Sequence, residues 1–437
     1  MTAARLAILW LLFLVAFLWG MATIALQVFP FQIVQAVWVY TAGGLGENTT
    51  LREKLANDLG RAPVRWFRTV PGTPEALPEL AVEGLKDRRV QPRMALSPDA
   101  PEGYRAVFGA FDFEETLWGA ILFDPEGQIV RTWALSTDDL PQSTEPAERK
   151  NMYGVDMRPD GSILYLMQED GGGIVKVDAC GQRDWVLDGI YHHTITPTDR
   201  GTFWTYEGTQ QQFDHVLMEV DTATGEILRS VDMGAVREAN PDVHIWDLQR
   251  EEEVWDRVHG NDIEELSPEL AAAYPGFEAG DLVMSYRVPN LVFVFDPETL
   301  QVKWWRVGPW DRQHDPDFGP DGWITVFSNN ERGVGSYSKI IAIDPETYEA
   351  EVKVDGADYD FFTEFNGTHQ RLENDGFLLT SSHQGRIFEV DANGSVVFDF
   401  VNLYQTEDNV TLHVGDAMYF APDYFERGIW DQSCPGN

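Results

Sequence analysis

The sequence predicts an all-β protein, a six-bladed β-propeller preceded by an N-terminal transmembrane helix and a short stalk. Three observations carry that expectation. A four-strand pattern recurs from residue 104 onward. Aromatic residues suited to strands are abundant, with 15 Trp, 25 Phe and 14 Tyr. An uncharged apolar run occupies the N-terminus.

That run is residues 6–28, "LAILWLLFLVAFLWGMATIALQV". At 1.5 Å per residue it spans about 34 Å, enough for a hydrocarbon core of about 30 Å. Arg5 is the only charge before it, so the positive-inside rule leaves the rest of the chain outside the cytoplasm. The run is long for a cleaved signal peptide and has no clean A-x-A-like end. Residues 1–39 are therefore expected to form an anchor and an interfacial segment, and 40–103 a stalk and lead-in. Thr50-Leu51-Arg52-Glu53 reads as a capping box and Gly60 as a helix stop, giving a short helix near 51–59. "RTVPGTPEALPEL" and "QPRMALSPDAPEG" read as Pro-rich spacers.

The body, 104–437, repeats one pattern. A polar or aromatic start leads to an Asp-Gly turn, an alternating strand, a strand ending in Asp, another turn and an aromatic strand. "MYGVDMRPDGSILYLMQEDGGGIVKVDACGQRDWVL" and "QHDPDFGPDGWITVFSNN" with "SKIIAIDPETYEAEVKV" show it clearly. Six such units of four strands imply a propeller. Aligned starts at 153, 193, 259, 314 and 368 are 40, 66, 55 and 54 residues apart. A plain blade needs about 40–45 residues, so the excess belongs to loops such as 233–258 and 267–280, expected on one functional face. "TLHVGDAMYFAPDYF" offers a closing strand.

Charge narrows the partners. The net charge is −39, from 71 acidic and 32 basic residues. This excludes nucleic acid, which needs a basic footprint, and docking on anionic headgroups. An anionic ligand requires a local basic pocket. The two cysteines, Cys180 and Cys434, form no C-x-x-C pair, so a cysteine metal site is not expected. In an oxidising compartment they can pair and pin the C-terminal tail. Two free thiols are the alternative.

Each repeat should begin with the innermost strand of its blade, lining the axis. Aligned on the turn glycines, those starts hold Tyr153, His193, His259, His314 and Thr368, flanked by His192, Asn261, Gln313 and His369. Five of the nine histidines fall at or beside this register. Arg287 in "SYRVPN" follows on the next strand of the His259 repeat. A channel with several imidazoles and a guanidinium binds an anion, binds a metal or performs nucleophilic chemistry. No G-x-S-x-G, Walker A or H-E-x-x-H motif supports another chemistry.

At these residues the chain resembles the bacterial arylsulfotransferase family. The matching pieces are His192-His193, "HGNDIEEL" leading to "GDLVMSYRVPN", "VFDPETLQVKWW", "QHDPDFGPDGWITVFSNN" and "THQRLENDGFLLTSSHQGRIFEVD". Where that family usually shows Asp-Asn-Gly, this chain has Ser328-Asn329-Asn330. The resemblance implies a six-bladed propeller with a central site and no cofactor. It implies transfer of a sulfuryl group from an aryl sulfate to a phenol or other hydroxyl acceptor, without a nucleotide sulfate donor. It assigns His314 as nucleophile, His193 (or His192) and His259 as supporting histidines, and Arg287 as the charge stabiliser. Tyr153, His192, Asn261, Thr368 and His369 are then candidate substrate-binding residues. Two other readings stay open: a metal-dependent hydrolase or lyase on the histidine cluster, and a membrane-anchored scaffold without activity.

Overall fold

The computed structural model describes Arg5, Trp10, residues 12–19 and residues 77–434 except 86–89, 112–117, 137–139, 141–150, 169–171, 210–211, 248–257, 331–336, 365 and 406–409. From residue 104 the chain folds into six four-stranded antiparallel sheets. In each, the described residues of the two middle strands are mostly buried, and in blades 1 to 5 the outermost strand is more exposed. Blade 4 shows this well. Leu282–Tyr286 and Leu291–Phe295 are buried throughout, while Val302–Val307 buries Trp304 and exposes Trp305. The cores lie between neighbouring sheets. Trp204, Tyr206 and Leu217 of blade 3 pack on Met284 and Phe293 of blade 4. Val283 and Trp304 of blade 4 pack on Phe318 and Ile341 of blade 5. Stacking the apolar face of one twisted sheet on the next closes the ring.

The six innermost strands are Asn151–Met157, Tyr191–Pro197, Gly260–Glu265, His314–Phe318, His369–Arg371 and Val414–Phe420. The last of these is the expected closing strand. It pairs with Tyr104–Ala110 and completes the blade whose outer strands are Trp118–Phe123 and Ile129–Ala134. The alignment thus located the inner strands correctly.

Two expectations on organisation change. Arg93–Leu96, assigned to the lead-in, pairs with Val396–Val401 as a fifth, outer strand of blade 6. Met94 and Leu96 pack against the core shared by blades 6 and 1, which is what recruits the segment. The insertions 233–258 and 267–280 do not share a face. The first joins an outer strand to the next inner strand, and the second joins an inner strand to its own second strand. In an antiparallel meander those connections lie at opposite ends. The first contains the short helix Met233–Ala239, capped by the Asp232 carboxylate, which accepts from the Gly234 N–H at 2.7 Å.

Cys180 and Cys434 are joined by a disulfide, with Cα atoms 5.3 Å apart. It ties the tail to the third turn of blade 2, between Gly173–Val177 and Arg183–Asp188. Among the described residues no helix is long and apolar enough to cross a membrane. Most of the expected span 6–28, and the whole expected helix near 51–59, lie outside the described residues. Residues 12–19 are described, are helical and expose their large apolar side chains.

Candidate active site

The site forms where the inner strands begin, and it depends on an irregularity in them. Five of the six inner strands carry a bulge near this level. Two residues of the inner strand oppose one of its partner between Gly260 and Asp262, between His314 and Pro316, and between Val414 and Asp416. One extra residue also lies between Met152 and Val155, and two lie across His192–Thr196. His193, His259 and Asp315 adopt left-handed backbone at φ 58°, 50° and 52°. A bulge breaks strict alternation and re-aims a side chain. Consecutive residues such as His314 and Asp315 can therefore both contribute to the axis.

His314 is buried, and its ring is fixed at both ends. Nδ1 lies 2.6 Å from Asn329 Oδ1 and 3.2 Å from the Arg312 carbonyl. Both are acceptors, so Nδ1 carries the proton and Nε2 holds the lone pair. Asn329 has no freedom to reverse its amide. Its Nδ2 donates to the carbonyls of Asn366 at 2.7 Å and Thr363 at 3.1 Å. Nε2 receives only the Asn366 N–H, at 3.3 Å. Burial first, then the Arg287 guanidinium, lowers the His314 pKa to about 3. The ring is neutral at physiological pH.

The other expected imidazoles gather around it. His193 Nε2 lies 3.2 Å from His259 Nε2, and the His193 ring centre is 5.7 Å from that of His314. Tyr153 packs on His193 at 4.9 Å. Burial, then His192 and His259, hold His193 well below the ordinary histidine pKa. His192 stands behind His193, fully buried, with Nδ1 at 3.0 Å from the Gly260 carbonyl. The residues lining the cavity do not include His192, His259 or Arg287. Arg287 lies in the turn after Leu282–Tyr286. Its backbone N–H donates to the His259 carbonyl at 3.0 Å, and its positive charge lowers the pKa of His192, His193 and His314.

A cavity of about 660 Å³ runs along the axis from this cluster. Tyr153, His193, His314 and Asn261 line it. Asn261 Nδ2 donates to the Gln313 carbonyl at 2.8 Å. Gln313 itself is buried, bonded through Nε2 to Ser285 Oγ and the carbonyls of Tyr286 and Leu291, and holds the strand in place. Thr368 and His369 also line the cavity but face carboxylates. Thr368 donates to Asp416, and His369 Nδ1 lies 2.8 Å from Asp315 Oδ2.

Two features were not picked out from the sequence. One is Asn329 as the partner of His314. The other is the acidic lining: Asp156, Asp262, Glu264, Asp315, Asp317 and Asp416. The signal for the second lay in the alternation of "NDIEE" and "HDPDF", where every second residue is acidic on a strand already assigned to the axis.

An arylsulfotransferase (ASST) family model matches residues 155–403, more than half the chain and all of the site's elements between blades 2 and 6. The chain belongs to this family. No curated protein matches it. Among solved structures, the chain is similar to a protein of unknown function from Bacteroides caccae at 12% identity and TM-score 0.47, covering 73% of this chain and 99% of that one. It is also similar to TolB from Acinetobacter baumannii at 12% identity and TM-score 0.45, covering 73% and 66%. Virginiamycin B lyase from Staphylococcus aureus matches at 13% identity and TM-score 0.33, covering 56% and 69%. Membership of this family suggests a transferase.

Proposed function

We propose that the protein moves a sulfuryl group from an aryl sulfate ester to a phenolic or other hydroxyl acceptor through a sulfohistidine on His314, with no nucleotide sulfate donor. One observation carries the assignment of the nucleophile. Asn329 and the Arg312 carbonyl hold the proton on Nδ1, so a neutral Nε2 lone pair stands beside His193, His259 and Arg287.

The steps balance as follows. Nε2 of His314 attacks sulfur, forming N–S as the S–O bond to the aryl group breaks. The departing oxygen keeps the electron pair and leaves as a phenolate, which takes its proton from solvent. Arg287 meets the charge on the sulfuryl oxygens, as cations meet a transferring phosphoryl group. The acceptor hydroxyl then gives its proton to the neutral His193–His259 pair, which passes it to solvent, and attacks sulfur. The N–S bond breaks, and its electron pair returns to Nε2.

The test is intact-protein mass after incubation with a nitrophenyl sulfate and no acceptor. Wild type gains one sulfuryl group and releases one nitrophenol in a burst; His314→Asn does neither. Loss of covalent catalysis should lower the rate at least ~10³-fold. Arg287→Lys should lose less, since it keeps the charge without the planar fork. Labelling of another residue, or normal turnover by the mutant, sinks the assignment.

A second reading rests on a specific observation. His192, His193 and His259 offer ring nitrogens within 4.8 Å of one another, a donor set with metal-site spacing. Activity lost to a chelator and restored by zinc supports a metal hydrolase or lyase in place of sulfuryl transfer. We further propose that 6–28 anchors the catalytic domain outside the cytoplasm. The uncharged run and the Cys180–Cys434 pairing support this. Release of a soluble form beginning after residue 28 contradicts it.

A further inference from the structure

The histidine cluster occupies one end of the axial cavity, and the rest of the wall has opposite character. Asp262, Glu264, Asp315, Asp317 and Asp416 line the same continuous space. The only Lys or Arg on that wall among the described residues is Arg371, and Asp321 and Asp375 engage it at 2.8 Å each. The donors that reach the axial carboxylates are mostly neutral. Thr194 Oγ1 donates to Asp262, Thr368 Oγ1 and the Ala417 N–H to Asp416, and the Phe318 N–H to Glu264. His369 stands between Asp315 and Asp317. Carboxyl groups on the wall therefore outnumber its cationic partners. Burial first, and mutual repulsion after it, raises Asp262, Asp317 and Glu264 above the usual carboxylate range, the last to about 8.

A second observation is independent of the acids. Asn261 is only 4% exposed, lines this cavity, and its Oδ1 has no hydrogen-bond partner. A buried acceptor left unpaired calls for a donor. Tyr153, Phe318, Tyr419 and Tyr424 add aromatic wall beside the acids, a surface that takes an aromatic ring and favours a nearby cation. An anionic sulfate ester finds no available cationic partner on this wall, so the acidic portion suits another molecule.

We infer that the preferred acceptor is a phenol bearing a cationic amine, its hydroxyl presented to His314 and its ammonium held among Asp262, Asp315, Asp317 and Asp416. This rests on the sulfuryl-transfer reading for the word acceptor. The selection for a cationic phenol rests on the cavity alone. A metal ion is the competing occupant, because ligand atoms of Asp315, Asp317 and His369 lie within 4.8 Å of one another. His369 argues for the amine: Asp315 occupies Nδ1 and Thr325 Oγ1 occupies Nε2, each at 2.8 Å.

The test is calorimetric titration of the wild-type protein at low ionic strength, with no sulfate donor, so that no reaction occurs. Tyramine, p-cresol and 4-hydroxyphenylacetate share a phenol ring and differ in charge. Tyramine should bind about tenfold or more tighter than p-cresol, as a charge-assisted pair in a half-buried site implies, and the carboxylate should bind weakest. Asp317→Asn with Asp416→Asn should bring tyramine to the p-cresol level and leave p-cresol unchanged. Should that variant fail to fold, the wild-type preference for tyramine must instead shrink with added salt. Equal binding of the three phenols overturns the inference, as does a tyramine preference abolished by millimolar Ca²⁺ or Zn²⁺. Tight tyramine binding without sulfation of any phenol leaves the cationic site standing and removes the transferase reading. Sulfation of all three phenols at equal kcat/KM does the reverse.

Discussion

Asn329 stands 15 residues beyond His314 and sets which ring nitrogen is free. Its oxygen can only face the ring, because two carbonyls hold its amide protons. Asn329→Ala removes the tautomer lock and should lower kcat/KM about 10²-fold through loss of orientation, with KM little changed. It also strands the two carbonyls, at a stability loss of about 1–3 kcal/mol. Asn329→Asp keeps an acceptor but adds a negative charge, which raises the pKa of His314. Burial and the Arg287 guanidinium lower the His314 pKa to about 3, so under the proposed mechanism formation of the sulfuryl-enzyme from a nitrophenyl sulfate should show no acid limb between pH 5 and 8. Asn329→Asp should acquire one, read by the nitrophenol burst rate against pH. A wild-type acid limb near pH 6.5 would contradict the neutral-ring argument. The sequence exposed His193, His259 and His314 because turn glycines at a fixed offset align them. It did not expose Asn329 as a positioning residue, since its role is set by the non-local carbonyls of Thr363 and Asn366.

At the level of elements, the repeat was legible because Asp-Gly turns and alternating strands are local signals. The bulges were not. A bulge is a register difference between two strands, and neither strand shows it alone. This is why "HDPDF" reads as one residue per face while His314, Asp315 and Asp317 all reach the cavity. The outer strand Arg93–Leu96 was also hidden. Four residues flanked by prolines read as spacer, and only the open edge of Val396–Val401 turns them into a strand. The two terminal strands should differ in consequence. Deleting residues 1–98 removes an outer strand far from the site, so turnover should persist while Tm falls, by about 2–4 °C per kcal/mol lost. Ending the chain at residue 413 uncovers Val107 and Phe108 and removes Asp416, and should abolish soluble, active protein. Solubility, thermal melts and turnover of the two truncations distinguish these outcomes. An active chain ending at 413 contradicts the assigned closure.

Across the whole molecule, a chain of net charge −39 keeps part of its acidity in its interior. Glu264 is raised to about 8 and Asp416 to about 7, against 4.5 and 3.8 for their ordinary values. Between those limits the folded state binds more protons than the unfolded state, so this stability is lost as pH rises through 7 and 8. His314 acts with the opposite sign, since its folded pKa is lowered, but only below about 6.5. From pH 7 to 9 the carboxylates therefore act unopposed by it. Calorimetric Tm should fall across that interval, and Glu264→Gln should flatten the decline. A Tm that rises with pH there contradicts the buried acids.

The strand Val414–Phe420 has a consequence in time. Its partner, Tyr104–Ala110, is made more than 300 residues earlier. The ring has no innermost strand for that blade, and the cavity no Asp416, until nearly the whole chain has left the ribosome. If the body is exported, a partly threaded chain carries no assembled site on either side of the membrane. A chain stalled before residue 414 therefore lacks both the closing strand and a carboxylate of the cavity wall, so the order of the strands delays assembly of the site to the last stretch of the body.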